Sequence, residues 1–151
     1  MQASPSITAD SQLSGQLFHL VKRLMLDPEA DHLRVIEEND LTVSQVRALV
    51  LLACSDEPVP GARIAERLGF SPAAVSRALD GLVRAGFAVR SESEEDRRVR
   101  PFAATESGRE LADELSALRR AQLERFVERL EPGQREALAT AMDAIVGGEV
   151  A

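Results

Sequence analysis

The chain has 151 residues, enough for one ordinary domain with extensions, and its 44% hydrophobic and 28% charged residues place it among folded globular proteins. Its longest apolar run, Ala48 to Cys54, falls far short of the roughly 20 residues of a membrane-spanning helix. The N-terminus lacks the basic start and apolar core of a secretory signal, so a cytoplasmic location without a membrane partner is expected. A single cysteine excludes an intramolecular disulfide and a cysteine-based zinc site, and the absence of Tyr and Trp argues against stacking single-stranded bases. No nucleophile with a base, no catalytic carboxylate pair and no glycine-rich phosphate loop stands out, so neither an enzyme nor a cofactor is expected.

In chain order, residues 1–10 read as a loose tail. The first helix starts near Ser11, where Leu13, Leu17, Leu20, Val21 and Leu24 recur at spacings of three and four. Asp27 is placed to cap a second helix with Pro28 at its first position and Leu33 and Ile36 on its apolar face, so the arm at 11–40 is either one kinked helix or two. Thr42 caps the next helix, whose buried stripe is Val46, Leu49, Val50 and Ala53, with Cys54 as a small core residue at its end. A short helix from Ala62 to Leu68 stops at Gly69, and Ser71 with Pro72 opens another that runs to about Ala85. Two helices joined by a glycine-containing turn make a helix-turn-helix. Gly86 ends the second of them. Phe87–Arg90 and Val99–Ala103 then read as two short strands around a charged loop, with Pro101 tolerable only on an edge. Thr105 caps a long helix with an apolar seam of Leu111, Leu115, Leu118, Leu123, Phe126 and Leu130. Glu131-Pro132-Gly133 separates it from a last helix carrying Leu138, Met142 and Ile145, and 147–151 is a tail. The fold class is therefore mainly α with a small β-hairpin wing.

The net charge of −7 is unevenly spread. Arg63 to Arg100 holds eight arginines against six carboxylates, a net of +2, which leaves −9 for the two ends and suits a middle that meets a polyanion. On the helix after Ser71, the face carrying Ala73, Ala74, Ser76 and Arg77 is small and polar, as a helix entering a major groove requires. Arg77 could pair with a guanine or hold a phosphate. In the wing loop, Asp96 can restrain one arginine while Arg97, Arg98 or Arg100 reaches a minor groove. The leucine seam fits packing within the chain or, with so small a middle and an equally apolar N-terminal arm, packing between subunits.

The runs Leu41–Gln45, Ile64–Arg77, Leu82–Arg90, Asp96-Arg97-Arg98 and Thr105–Arg109, in this order and spacing, resemble the MarR family of winged helix-turn-helix transcriptional regulators. The resemblance implies a homodimer whose terminal helices intertwine, at 11–40 and 106–146, and whose winged helices, at 41–105, grip a pseudo-palindromic duplex operator. It implies a DNA-binding set of Arg63, Ser71, Ala73, Ala74, Ser76, Arg77, Asp96, Arg97, Arg98 and Arg100, with Arg98 near the minor groove. It implies dimerisation through Leu13, Leu17, Leu20, Leu115, Leu118, Phe126, Leu138, Met142 and Ile145. Members commonly act as repressors, and many release DNA when a small-molecule effector or an oxidant acts. The alternative is a winged-helix module that has lost DNA binding and pairs with another protein.

Overall fold

In the computed structural model, which describes residues 9–91 and 100–147, the leucine stripe of the N-terminal arm forms α1 (Ala9–Met25). The second helix does not start at Pro28. The Asp27 carboxylate accepts instead from the Glu29 backbone N–H at 3.1 Å, which makes residues 27–30 a turn. Helix α2 (Asp31–Glu38) begins after Ala30, which has no side chain to cap it, and it buries His32 and Val35 while Leu33 faces outward.

Helix α3 (Val43–Ala53) opens on a reciprocal capping box. The Thr42 hydroxyl accepts from the Gln45 N–H at 3.2 Å, and the Gln45 carbonyl oxygen accepts from the Thr42 N–H at 2.7 Å. Its deepest residues are Ala48, Leu49 and Leu52, whereas Val46, Val50 and Ala53 of the expected stripe are only half-buried, because α5, α6 and β2 pack on the side of α3 that carries 48, 49 and 52. Cys54, expected in the core, is exposed: it follows the last turn of α3, where the chain leaves the core.

Helices α4 (Gly61–Leu68) and α5 (Pro72–Arg84) follow, and strands β1 (Ala88–Arg90) and β2 (Phe102–Ala104) pair antiparallel with Ala88 opposite Ala104 and Arg90 opposite Phe102. Pro101 stands outside β2, so its missing N–H costs no ladder bond, while its carbonyl accepts from the Ser91 N–H at 2.7 Å. Val59, from the turn before α4, exchanges two backbone hydrogen bonds with Phe102, of 2.7 and 2.9 Å, and so extends the sheet.

Thr105 caps α6 (Glu106–Glu128) by accepting from the Gly108 N–H at 3.1 Å, and Pro132 starts α7 (Pro132–Val146). The core lies between α3, α4, α5, β2 and the first half of α6. Leu49, Leu52, Ile64, Leu79 and Leu82 are sealed there, each contributing about 1.5–3 kcal/mol by leaving water. Helices α1 and α7 stand apart from it, and no residue of α7 is buried.

Candidate nucleic-acid interface

The turn between α4 and α5 is built so that α5 projects outward. Gly69 takes a left-handed conformation, φ 65°, that ends α4 cheaply only for a residue without a Cβ. The Ser71 hydroxyl then accepts from the Ala74 N–H at 3.2 Å, and Pro72 supplies the first helical residue with no N–H to satisfy. Arg47 of α3 fixes this turn from beneath: it donates to the Leu68 carbonyl at 3.1 Å, and its guanidinium lies 4.7 Å from the centre of the Phe70 ring.

Val75, Ala78, Leu79 and Leu82 turn the inner face of α5 into the core, and Ala73, Ser76 and Arg77 are exposed on the outer one. Ala74 is half-buried, and the Ser71 hydroxyl is committed to its cap. Asp80, on the helix flank, is held by Arg90 of β1, whose guanidinium also lies 5.4 Å from the centre of the Phe102 ring. That contact ties the wing to α5 and neutralises a carboxylate that would otherwise repel a polyanion. Arg63 is exposed on α4, in a groove shared with Cys54 and Arg67, and Arg100 is exposed just before β2. Asp96, Arg97 and Arg98 lie outside the described residues.

Arg47 and Arg90 were not among the residues singled out from the sequence. Arg90 had one readable signal: it stands two residues after buried Ala88 and so on the same face of the strand, the face turned toward the helices, where a long side chain can reach a helix flank. Arg47 had none, because its partner, the Leu68 carbonyl, is a backbone group 21 residues away.

The N-terminal arm is joined to α6 by polar contacts. Gln122, 1% exposed, donates to the Leu24 carbonyl at 2.7 Å and to Asp27 at 3.3 Å, while Arg119 donates to Gln122 at 3.2 Å. Arg125 donates to the Glu29 carbonyl at 2.7 Å, and Arg129 reaches the Glu29 carboxylate at 3.5 Å. The Glu29 N–H and Gln122 amide hold the Asp27 carboxyl below the usual carboxylate range. Arg119 Nη1 lies 3.1 Å from His32 Nε2. As arginine can only donate, His32 accepts there and is neutral; burial and then the Arg119 charge push its pKa down.

Of the residues expected at a dimer contact, Leu115 is spent inside the chain, buried in its core, and Leu118 packs half-buried against that core. Leu13 and Leu17 are exposed, as are Met142 and Ile145, whereas Leu20, Phe126 and Leu138 are half-buried. Among the described residues, no group of three or more His, Cys, Asp or Glu side chains could hold a metal ion, and no helix is long and apolar enough to cross a membrane.

Residues 39–99 match the sequence model of the MarR family. The transcriptional regulator AdcR of Streptococcus pneumoniae is 24% identical over 141 residues, which are 90% of this chain and 97% of that protein. The crystal structure of RV1404 from Mycobacterium tuberculosis is similar with a TM-score of 0.75 and 29% identity, over 99% of this chain and 100% of that one. S. aureus MepR, solved as a DNA complex, shares the fold with a TM-score of 0.68 and 21% identity, over 89% of this chain and 98% of that one.

Proposed function

Because this chain belongs to the MarR family of winged helix-turn-helix transcriptional regulators, we propose that it is a repressor that binds a pseudo-palindromic duplex operator as a homodimer and is released by a small-molecule effector. The observation that carries DNA binding is the outer face of α5. After the Ser71 cap it shows Ala73, Ser76 and Arg77 to solvent, small enough for the backbone to approach a major-groove floor and polar enough to reach base edges or phosphates. Arg63 of α4 and Arg100 before β2 are exposed as well, and the family resemblance assigns Arg98 of the wing loop to the adjoining minor groove, with Asp96 positioning it and Arg97 beside it. That a MarR-fold protein of S. aureus was crystallised on DNA supports duplex DNA as the partner.

Dimerisation is supported by apolar surface that one chain leaves uncovered. Leu13, Leu17, Phe18, Val21 and Met25 of α1 are each more than half exposed, and Ile145 of α7 is 69% exposed. A water-facing stripe of this size on a helical arm is an association surface. Twofold pairing would place two copies of α5 to read two half-sites about one helical turn of DNA apart.

Selection from a random duplex library with the purified chain tests the proposal. The expected product is a motif with twofold symmetry whose binding is weakened on Arg77→Ala and lost on Arg98→Ala. Recovery of no motif at low salt would favour a winged helix that docks on another protein, which the −7 net charge would suit.

A further inference from the structure

Ala74, Ala78 and Gly81 follow one another at spacings of four and three along α5 and form a shallow trough on the side facing the start of α3. Gln45 closes one end, since a Cβ on Gly81 would lie 2.1 Å from its Nε2. The rest is an open cleft of about 410 Å³, with Arg77 and Arg84 on the α5 side and Ser44 and Thr42 on the α3 side. The two arginines are seven residues apart, about two turns or roughly 10 Å of helix, so both side chains can reach one elongated anion. Both are exposed, and neither has an ion pair or side-chain hydrogen bond among the described residues. No described carboxylate lines the cleft, and Asp80, the acid between them in sequence, is engaged by Arg90. The Thr42 hydroxyl is committed to its cap, whereas that of Ser44 has no partner among the described residues.

Two like charges, a free hydroxyl and walls of small residues make a place for an anion that approaches from the side of α5, not from its tip. Resting on the duplex-binding proposal above, we infer that this cleft seats the sugar–phosphate backbone of the strand bordering the groove that α5 enters. Arg84 and Ser44 are then DNA-binding residues in their own right, and Arg77 holds a phosphate and not a guanine. Contacts of this kind fix the depth and register of the helix without reading sequence.

The test uses the full chain, a duplex recovered by library selection and a scrambled duplex of equal length, with fluorescence anisotropy across a salt series. Arg84→Gln is expected to weaken both duplexes about tenfold, to leave their affinity ratio unchanged and to reduce the slope of log K against log salt by about two, one phosphate contact being lost from each of the two protomers. Arg77→Gln should behave alike. Ser44→Ala should weaken both about threefold with no change of slope, since it removes a neutral donor, and Arg84→Lys should keep the slope. Circular dichroism melting of each variant confirms the fold. Wild-type binding with an Arg84→Gln slope and affinity equal to wild type overturns the inference alone, as does a changed affinity ratio in either arginine variant. A wild-type chain that binds no duplex overturns the proposed function and this inference with it.

Discussion

Gly108 sits where α6 turns over the wing, and a Cβ there would lie 2.0 Å from the Phe87 carbonyl oxygen. That oxygen also accepts from the Thr105 N–H at 3.1 Å, so the backbone cannot retreat without losing a bond at the root of the hairpin. Gly108→Ala is expected to cost about 1–3 kcal/mol in urea unfolding, the range for forcing atoms into a packed site. Gly133→Ala, in the first turn of α7 where nothing stands within 4 Å, should be neutral or slightly stabilising. His32 gives a second prediction at this scale. Its folded pKa lies below the ordinary 6.5, so the unfolded chain takes up the proton first and stability contributed by neutral His32 is lost as pH falls from about 6.5 toward the folded value. Unfolding free energies between pH 7.5 and 5 should decline on the acid side, and His32→Gln should flatten that decline. An unchanged slope in the variant would remove His32 from the account.

Among the elements, those whose ends are set by local chemistry were legible in the sequence. Thr42, Ser71 and Thr105 each cap the helix they were expected to cap, because a hydroxyl and an N–H three residues on need nothing distant. Ser71→Ala should accordingly cost about 1 kcal/mol, with Ser71→Asp recovering it in the same denaturation assay. The start of α2 was misplaced for the opposite reason. Asp27 looks like a cap beside Pro28, yet its carboxylate is shared with Gln122, 95 residues away, and no local pattern reports that. The pairing of Val59 with Phe102 and the hold of Arg47 on Leu68 were invisible for the same cause, both being contacts to backbone groups of remote segments. Cys54 was misassigned because an apolar run says which residues are greasy, not where the helix under them stops. Of the candidate interface, the outer face of α5 was readable from its small polar stripe, whereas the Arg90–Asp80 contact required knowing how the strand crosses the helix. Both partners are nearly half exposed, so Arg90→Ala should change stability by less than about 1 kcal/mol. It should still weaken duplex binding, since the wing is no longer tied to α5. A large loss of stability with unaltered binding would reverse that assignment.

The whole molecule is a packed middle with two arms that it cannot cover. The middle is sealed by α3, α4, α5, β2 and the start of α6, and the polar contacts of Gln122, Arg119 and Arg125 fix how the N-terminal arm leaves it. If the arms pair with those of a second copy, as proposed, the angle between two α5 helices is set through these contacts. Leu17→Glu with Ile145→Glu, both at exposed positions, should leave the fold intact by circular dichroism while shifting sedimentation from dimer to monomer. The most direct test of the account is a titration of a library-selected duplex with the wild-type chain, read by anisotropy at several salt concentrations with stoichiometry from sedimentation. Two chains per duplex, preference over a scrambled duplex and an affinity that falls steeply with salt are expected. Equal affinity for both duplexes, or one chain per duplex, would contradict it.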